Sequence, residues 1–354
     1  MTVVKGIIWV CVFIASALVN AKPTKSVPVT LRVFGAAYLS EMKPLLDDFS
    51  MRNPNINVQY RWMSSEELDS HIRSGAEPQP DITISSVMHL QLRLVNDGYA
   101  SEPVQFLDQG TSEHSPFPVW SQWRSALFGF SFEPAVVVFN KAFVQDKEVP
   151  TNRTELLGFI RQHSDELMGR IGLFDIRKVG IGYLLWSFER QQARNYGQFL
   201  ELFNYHYART FDSTRSMLRA LSEGQIAMSY QVVGSYANSW QKLHDDIVVV
   251  PMEDYTPVIL RTAFINRTTQ NTEHAKQFIS YLLSSPGQWV MAEQTNMPPI
   301  RLDVTGEKSA QYMRQEFADQ LKPLPLDVRL LVFADKSKKE IVITEWENAL
   351  KNYD

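Results

Sequence analysis

The sequence predicts an α/β fold built as two lobes, and three observations carry that expectation. Between Val27 and Gly98, strand-like and helix-like stretches alternate, the pattern of parallel strands joined by right-handed crossovers. At 354 residues the chain is long enough to build two separate cores. In the middle, two β-rich runs, Trp123 to Phe132 and Ala135 to Phe139, flank Glu133-Pro134 and lead the chain out of the first unit. Proline there cannot donate to a ladder and suits a bend or a strand edge.

Ahead of the fold lies a leader. Lys5 is the only charge before an apolar run from Gly6 to Leu18, and Val19-Asn20-Ala21 offers small residues where a signal peptidase would cut. The run is shorter than the ~20 residues a comfortable membrane span needs, which disfavours an uncleaved anchor. Cleavage after Ala21 would remove Cys11, the single cysteine, so the exported chain would fold without disulfides and depend on the size of its cores. In a Gram-negative cell that chain is periplasmic.

Composition narrows the function classes. With 44% hydrophobic and 21% charged residues the chain is an ordinary globular protein. A formal net charge of −4 offers no basic stripe for nucleic acid, yet does not exclude a small anion, because a pocket's field need not follow the total.

In chain order, Val27 to Phe34 reads as a strand ending at Gly35, followed by a helix carrying Leu39, Met42, Leu45, Leu46 and Phe49. Ile56 to Trp62 is a second strand. Ser64 and Glu67 form a capping box for the helix bearing Leu68 and Ile72. Asp81 to Ile84 is a third strand, closing in Ser85-Ser86 before another helix. Residues 101–120, rich in Pro, Ser and Gly, read as a surface connection. Beyond the crossing, a helix with Leu156, Leu157 and Ile160 leads to a strand at Arg170 to Phe174 and a turn, Asp175 to Gly182, that opens the helix starting near Tyr183. Gln225 to Tyr230 is a short buried strand ending in a polar turn with Gln231, Gly234, Ser235 and Tyr236. Asp246 to Pro251 and Leu260 to Asn266 are further strands, the latter returning to the first lobe. Thr272 to Leu283 is an amphipathic helix, broken by Ser285-Pro286-Gly287-Gln288, and residues 307–354 form a largely helical tail.

Candidate binding turns are those where a strand hands over to a helix: Gly35-Ala36, Ser85-Ser86, Arg177 to Tyr183, and the end of the strand at Tyr230. Ligands of open α/β sheets collect at such carboxyl ends, and exposed N–H groups at helix N-termini favour phosphate or carboxylate. Each turn taken singly would serve equally as a plain helix cap. Arg177 and Lys178 could add charge-assisted bonds.

Catalytic signatures are weak. Gly180-x-Gly182 is followed by Leu185 where a dinucleotide fingerprint needs glycine. Ser40-x-x-Lys43 has the spacing of serine acylases, but no S-D-N or K-T-G partner exists. The seven histidines are scattered and no metal set is expected. No cofactor is expected either.

Export, two lobes, a crossing strand pair and strand-end turns together resemble a periplasmic solute-binding protein of an ABC importer. The resemblance is to the two-lobed type II class that includes ferric-iron, thiamine and sugar-phosphate binders. DITISSVMHLQLRLVNDGYA (81–100), FSFEPAVVVFNK (130–141), IGLFDIRKVGIGYLLW (171–186), GQIAMSYQVVGSYAN (224–238) and AKQFISYLLSSPGQWVMAE (275–293) carry it. It implies two open, mostly parallel sheets flanked by helices, with crossover hinge strands. Residues 28–132 and about 251–300 would form lobe 1, 133–250 lobe 2, and 301–354 a helical extension packing on both. It also implies a ligand held by Gly35, Ala36, Ser85, Ser86, Arg177, Gly180, Gly182, Tyr183, Tyr230, Gln231, Gly234 and Tyr236. Ferric binders of this class carry adjacent tyrosines after the central strand, whereas here Val232 and Val233 stand there, and valine offers iron no oxygen. The expected function is capture of a small solute, phosphorylated or carboxylated, by a monomer that delivers it to an importer permease. The alternative partner is a membrane sensor kinase, suggested by PLDVRLLVFADKSKKEIVITEW (325–346), which is similar to a subgroup found beside such kinases.

Overall fold

The computed structural model describes residues 28–105, 115–192, 194–306, 309–317 and 319–350. The leader expected over residues 1–21, with Cys11, lies outside them. Among the described residues, no helix is long and apolar enough to cross a membrane.

In chain order the elements are β1 (Val29–Gly35), α1 (Leu39–Arg52), β2 (Ile56–Trp62), α2 (Ser65–Ser74), β3 (Ile82–Ser85), α3 (Met88–Asn96), β4 (Gln122–Trp123) and β5 (Leu127–Gly129). Next come β6 (Glu133–Asn140), α4 (Lys141–Val144), α5 (Arg153–Gln162), α6 (Ser164–Leu167), β7 (Ile171–Phe174), α7 (Gly180–Gln192), α8 (Tyr196–Tyr205), β8 (Arg209–Phe211) and α9 (Thr214–Ser222). Then follow β9 (Met228–Val233), α10 (Gly234–His244), β10 (Ile247–Val250), β11 (Thr256–Ile259), β12 (Thr262–Ile265), α11 (Thr272–Leu283) and α12 (Ser285–Gln294). The chain closes with α13 (Ala310–Glu316), β13 (Leu321–Pro323), α14 (Leu330–Ala334) and α15 (Lys336–Ala349).

Two sheets define the lobes. The first has the order β2-β1-β3-β12-β5-β4; the second runs β13-β11-β6-β9-β7-β8, with β10 also on β6. Ladders inside the strand–helix–strand units are parallel, as in β1 with β2 and β3, and β7 with β8 and β9. The strands that cross between lobes pair antiparallel, as in β12 with β3 and β6 with β9 and β11. The helices bury apolar stripes against these sheets; α1, for example, turns Met42, Leu45, Leu46 and Phe49 inward.

The chain passes between lobes at β5–β6 and again at β11–β12. Because β11 still belongs to the second sheet, the return crossing falls at Leu260-Arg261 rather than near residue 251. Hydrophobic pattern alone could not assign β11, whose strand is buried like those of either core. The tail is also more than helical: β13 pairs parallel to β11 and extends the second sheet.

One ion pair ties the two crossings together. Glu133 opens β6 and Arg261 lies between β11 and β12, at 0% and 1% exposure. The Arg261 guanidinium holds the Glu133 carboxylate through Nε and through Nη2 at 3.2 Å. Ser131 Oγ donates to Glu133 Oε1 at 2.9 Å and accepts the Arg261 N–H at 3.0 Å, and Ser235 Oγ also donates to the carboxylate. Burial works most strongly against the Arg261 charge, but Glu133 and Tyr236 together outweigh it, raising its pKa so that the guanidinium stays protonated. The outgoing crossing is also held by Gln288 of α12, whose amide donates to Phe130 O at 2.8 Å and Leu282 O at 2.7 Å. Gly287 beside it lets α12 pass close to the Tyr281 carbonyl, where a Cβ would collide.

Truncating Arg261→Ala leaves a buried carboxylate without its counter-charge and should cost about 3–5 kcal/mol of unfolding free energy, read by urea denaturation. The Glu133→Gln, Arg261→Met pair of changes made together should lose markedly less.

Candidate functional site

Between the lobes lies a cavity of about 120 Å³. Its wall includes Ala36, Tyr38, Trp62, Ser86 and Val87 from the first lobe and Gly180, Asp212, Thr214, Val233 and Tyr236 from the second. The reason these residues meet is topological, since each sits where a strand ends and the following helix begins.

As a result, six helix N-termini reach the cavity: α1 at Tyr38, α2 at Ser64, α3 at Val87, α7 at Gly180, α9 at Ser213 and α10 at Val233. Two are closed by their own side chains, Ser64 accepting the Glu67 N–H at 3.2 Å and Ser213 accepting the Ser216 N–H at 3.1 Å. The N-caps of α1, α3 and α10 make no side-chain capping bond. Each such end carries roughly half a positive charge, although the Glu41, Met88 and Leu90 N–H groups already donate to the Tyr38, Ser86 and Val87 carbonyls. The N-terminus of α7 is met from the opposite lobe: the Gly180 N–H donates to Glu66 Oε1.

Hydroxyls and aromatic rings complete the wall. Ser64, Ser65, Ser86, Ser213 and Thr214 line it. Tyr38 stacks on Trp62 at 6.0 Å and meets Tyr236 of the other lobe at 5.0 Å, with the Arg215 guanidinium 4.3 Å above its ring. Tyr236 OH accepts Arg261 Nη1 at 3.0 Å, so the hinge ion pair reaches the cavity directly. Burial raises the Tyr236 pKa and keeps the phenol neutral.

The residues expected from sequence divide into three groups. Ala36, Ser86, Gly180 and Tyr236 line the cavity. Gly35, Ser85 and Gly234 sit behind it: Gly35 lies under Tyr60, whose OH donates to Ala37 O at 2.6 Å. Ser85 Oγ accepts the Val87 N–H at 3.0 Å and lies 2.7 Å from Ser65 Oγ. At Gly234, a Cβ would stand 2.8 Å from the Pro134 carbonyl, so glycine there allows α10 to start against the hinge.

Arg177, Gly182, Tyr183, Tyr230 and Gln231 are engaged elsewhere. β9 runs on through Val233, so Tyr230 and Gln231 lie inside the strand instead of at its end. Tyr230 OH donates to Glu189 Oε1 at 2.8 Å in the second core, beside the Arg153–Glu189 pair at 2.7 Å. Gln231 Nε2 reaches Glu189 Oε2 at 3.2 Å, its backbone at φ 60° where the β6 ladder is interrupted. A Cβ on Gly182 would run into Phe174, which makes it a packing glycine. Tyr183 OH donates to Phe333 O of α14 at 2.9 Å. Arg177 forks onto Asp175 at 2.7 and 2.8 Å and reaches Glu347 of α15 at 3.4 Å; its Asp175 bonds raise its pKa further. It therefore anchors the tail, and its donors point away from the cleft.

Sequence reading passed over Trp62, Ser65, Glu66, Asp212 and Thr214. The strand-end rule covers Trp62, which closes β2, and Ser65 and Glu66 after it, whereas Asp212 and Thr214 follow β8, a short strand that the sequence pattern does not mark. Among the described residues, no three His, Cys, Asp or Glu side chains cluster to hold a metal. Val232 is fully buried, and Val233 puts an apolar side chain on the cavity wall.

No family model matches the chain, and no curated protein does. Solved structures do. The substrate-binding protein of an ABC transporter from Agrobacterium tumefaciens is 29% identical over 92% of this chain and 96% of that one, with a TM-score of 0.85. Iron-bound HitA from Pseudomonas aeruginosa matches at 15% identity and TM-score 0.71, covering 90% of this chain and 99% of its own. AfuA from Actinobacillus pleuropneumoniae, solved with fructose-6-phosphate, matches at 12% and 0.68 over 91% and 98%.

The Arg177→Ala variant should loosen α15, seen as faster amide exchange over residues 336–349, while leaving exchange in the helix N-termini around the cavity unchanged.

Proposed function

We infer that this chain, a two-lobed periplasmic solute-binding protein of the ABC-importer type, captures a small anionic solute between its lobes and delivers it to a permease. The class is that of its structural neighbours, which are binding proteins and not enzymes. The anionic solute is our own reading, and one observation carries it: helix N-termini from both lobes converge on one cavity, and those of α1, α3 and α10 have no side-chain cap. Such ends offer N–H donors and positive potential, and Lys178 adds a basic side chain to the wall, which together suit phosphate or carboxylate oxygens. Hydroxyls would bind the remaining polar groups, and Tyr38, Trp62 and Tyr236 would cover a sugar or other flat face. The ferric site of the wider class would need anionic oxygen donors, and Val233 supplies none at this wall.

Binding by lobe closure follows from the hinge: β5–β6 and β11–β12 are the backbone links through which a closing motion would pass. Side-chain contacts between the lobes include Ser239 Oγ to Glu41 Oε1 at 2.9 Å. Export into the periplasm, after a leader cut at Ala21, is part of the same proposal.

Differential scanning fluorimetry of the mature chain tests it. Sugar phosphates or di- and tricarboxylates at 100 times their Kd should stabilise the fold by about 2.7 kcal/mol. Thiamine and ferric salts should leave the melt unchanged; a shift with ferric salts alone would refute the anionic reading.

A further inference from the structure

Glu66 stands in the first turn of α2 in the first lobe, yet its carboxylate accepts the N–H of Gly180 at the start of α7 in the second. The seat is fitted. A Cβ on Gly180 would fall on Glu66 Oε1 and stand 3.0 Å from Val87 Cγ1, so only glycine lets the two lobes meet here. Glu66 lines the cavity beside Ser65 and Ser86. The charged groups around it are Asp69 one turn along α2, Lys339 of α15, whose Nζ lies 5.3 Å above the Tyr183 ring, and Lys178 and Asp212 in the same cavity wall. Burial raises the Glu66 pKa, and the Gly180 N–H works to hold the ionised form.

A carboxylate seated on a helix N-terminus occupies the place and imitates the chemistry of an anionic solute. We propose that Glu66 is an interlobe latch and a specificity residue: it holds the α7 N-terminus across the cleft, and an anionic solute binds by displacing it. The inference rests on the anionic reading above. Closure of this fold would then have two ways of being satisfied, one internal and one with solute. The internal one lowers apparent affinity by the fraction of molecules it holds. Weak or crowded anions would fail to displace it, so the latch sets a threshold of affinity and shape.

The test compares wild type with Glu66→Ala and, to keep the shape of the side chain, Glu66→Gln, each confirmed folded by its melting curve. Small-angle scattering without added solute reads lobe separation; calorimetric titration with inorganic phosphate reads affinity. The expected result is a larger radius of gyration for Glu66→Ala and phosphate binding tighter by about tenfold, with Glu66→Gln in between. An unchanged radius together with unchanged or weaker phosphate binding overturns the latch. Equal phosphate binding by all three proteins also overturns it while leaving the anionic reading intact. A larger radius for Glu66→Ala with no phosphate binding by any of them upholds the latch as an interlobe contact and removes the anionic reading instead.

Discussion

The buried pair between Glu133 and Arg261 is the constraint on which the rest of the molecule depends. It joins the outgoing crossing to the returning one, and both charges are out of water. Such a pair adds little net stability over an apolar substitute, but neither partner tolerates loss of the other. What it provides here is placement. Ser131, Ser235 and Tyr236 all bond to it, and Tyr236 faces the cavity. Hinge geometry and cavity wall are therefore one hydrogen-bonded unit.

Around that centre the cavity is framed by strand ends and helix starts, with hydroxyls and aromatic rings completing the wall. Strands of both sheets end toward the same gap, and the helices after them aim their N-termini into it. The charged side chains close to the gap are mostly committed: Arg177 to Asp175 and Glu347, Glu66 to Gly180. A solute would meet helix dipoles, hydroxyls and Lys178. The tail reinforces this arrangement. After β13 it bonds to Trp120 O through Leu326, then α14 lies on α3, where Arg93 donates to Ala334 O at 2.8 Å. Tyr183 of the second lobe holds the same short helix, so the tail spans both lobes.

Much of the fold was legible because periodicity reports burial. The capping box at Ser64 and Glu67, the buried face of α1 and the helix pair around Gly287-Gln288 all follow from local pattern. The site was only half legible. Ala36, Ser86 and Gly180 could be found because strand-end turns are local. Tyr230 and Gln231 could not be placed correctly, since the ladder interruption opposite Val137 that lets β9 continue to Val233 depends on its partner strand. The engagement of Arg177 is illegible in sequence for a related reason. Its partner Asp175 was visible two residues away, but the tail that draws its remaining donor off is 170 residues distant. The meeting of Glu66 with Gly180 is a contact between lobes, for which no local pattern exists.

The central claim is that uncapped helix N-termini hold the solute. Hydrogen–deuterium exchange, with and without the anion that most raises the melting temperature, tests it most directly. Slowed exchange is expected at the first-turn amides of α1, α3 and α10 that do not already donate to a neighbouring carbonyl, Leu39, Ser40 and His89 together with residues 234–236. Protection confined to other parts of either lobe, with these amides unchanged, would contradict it.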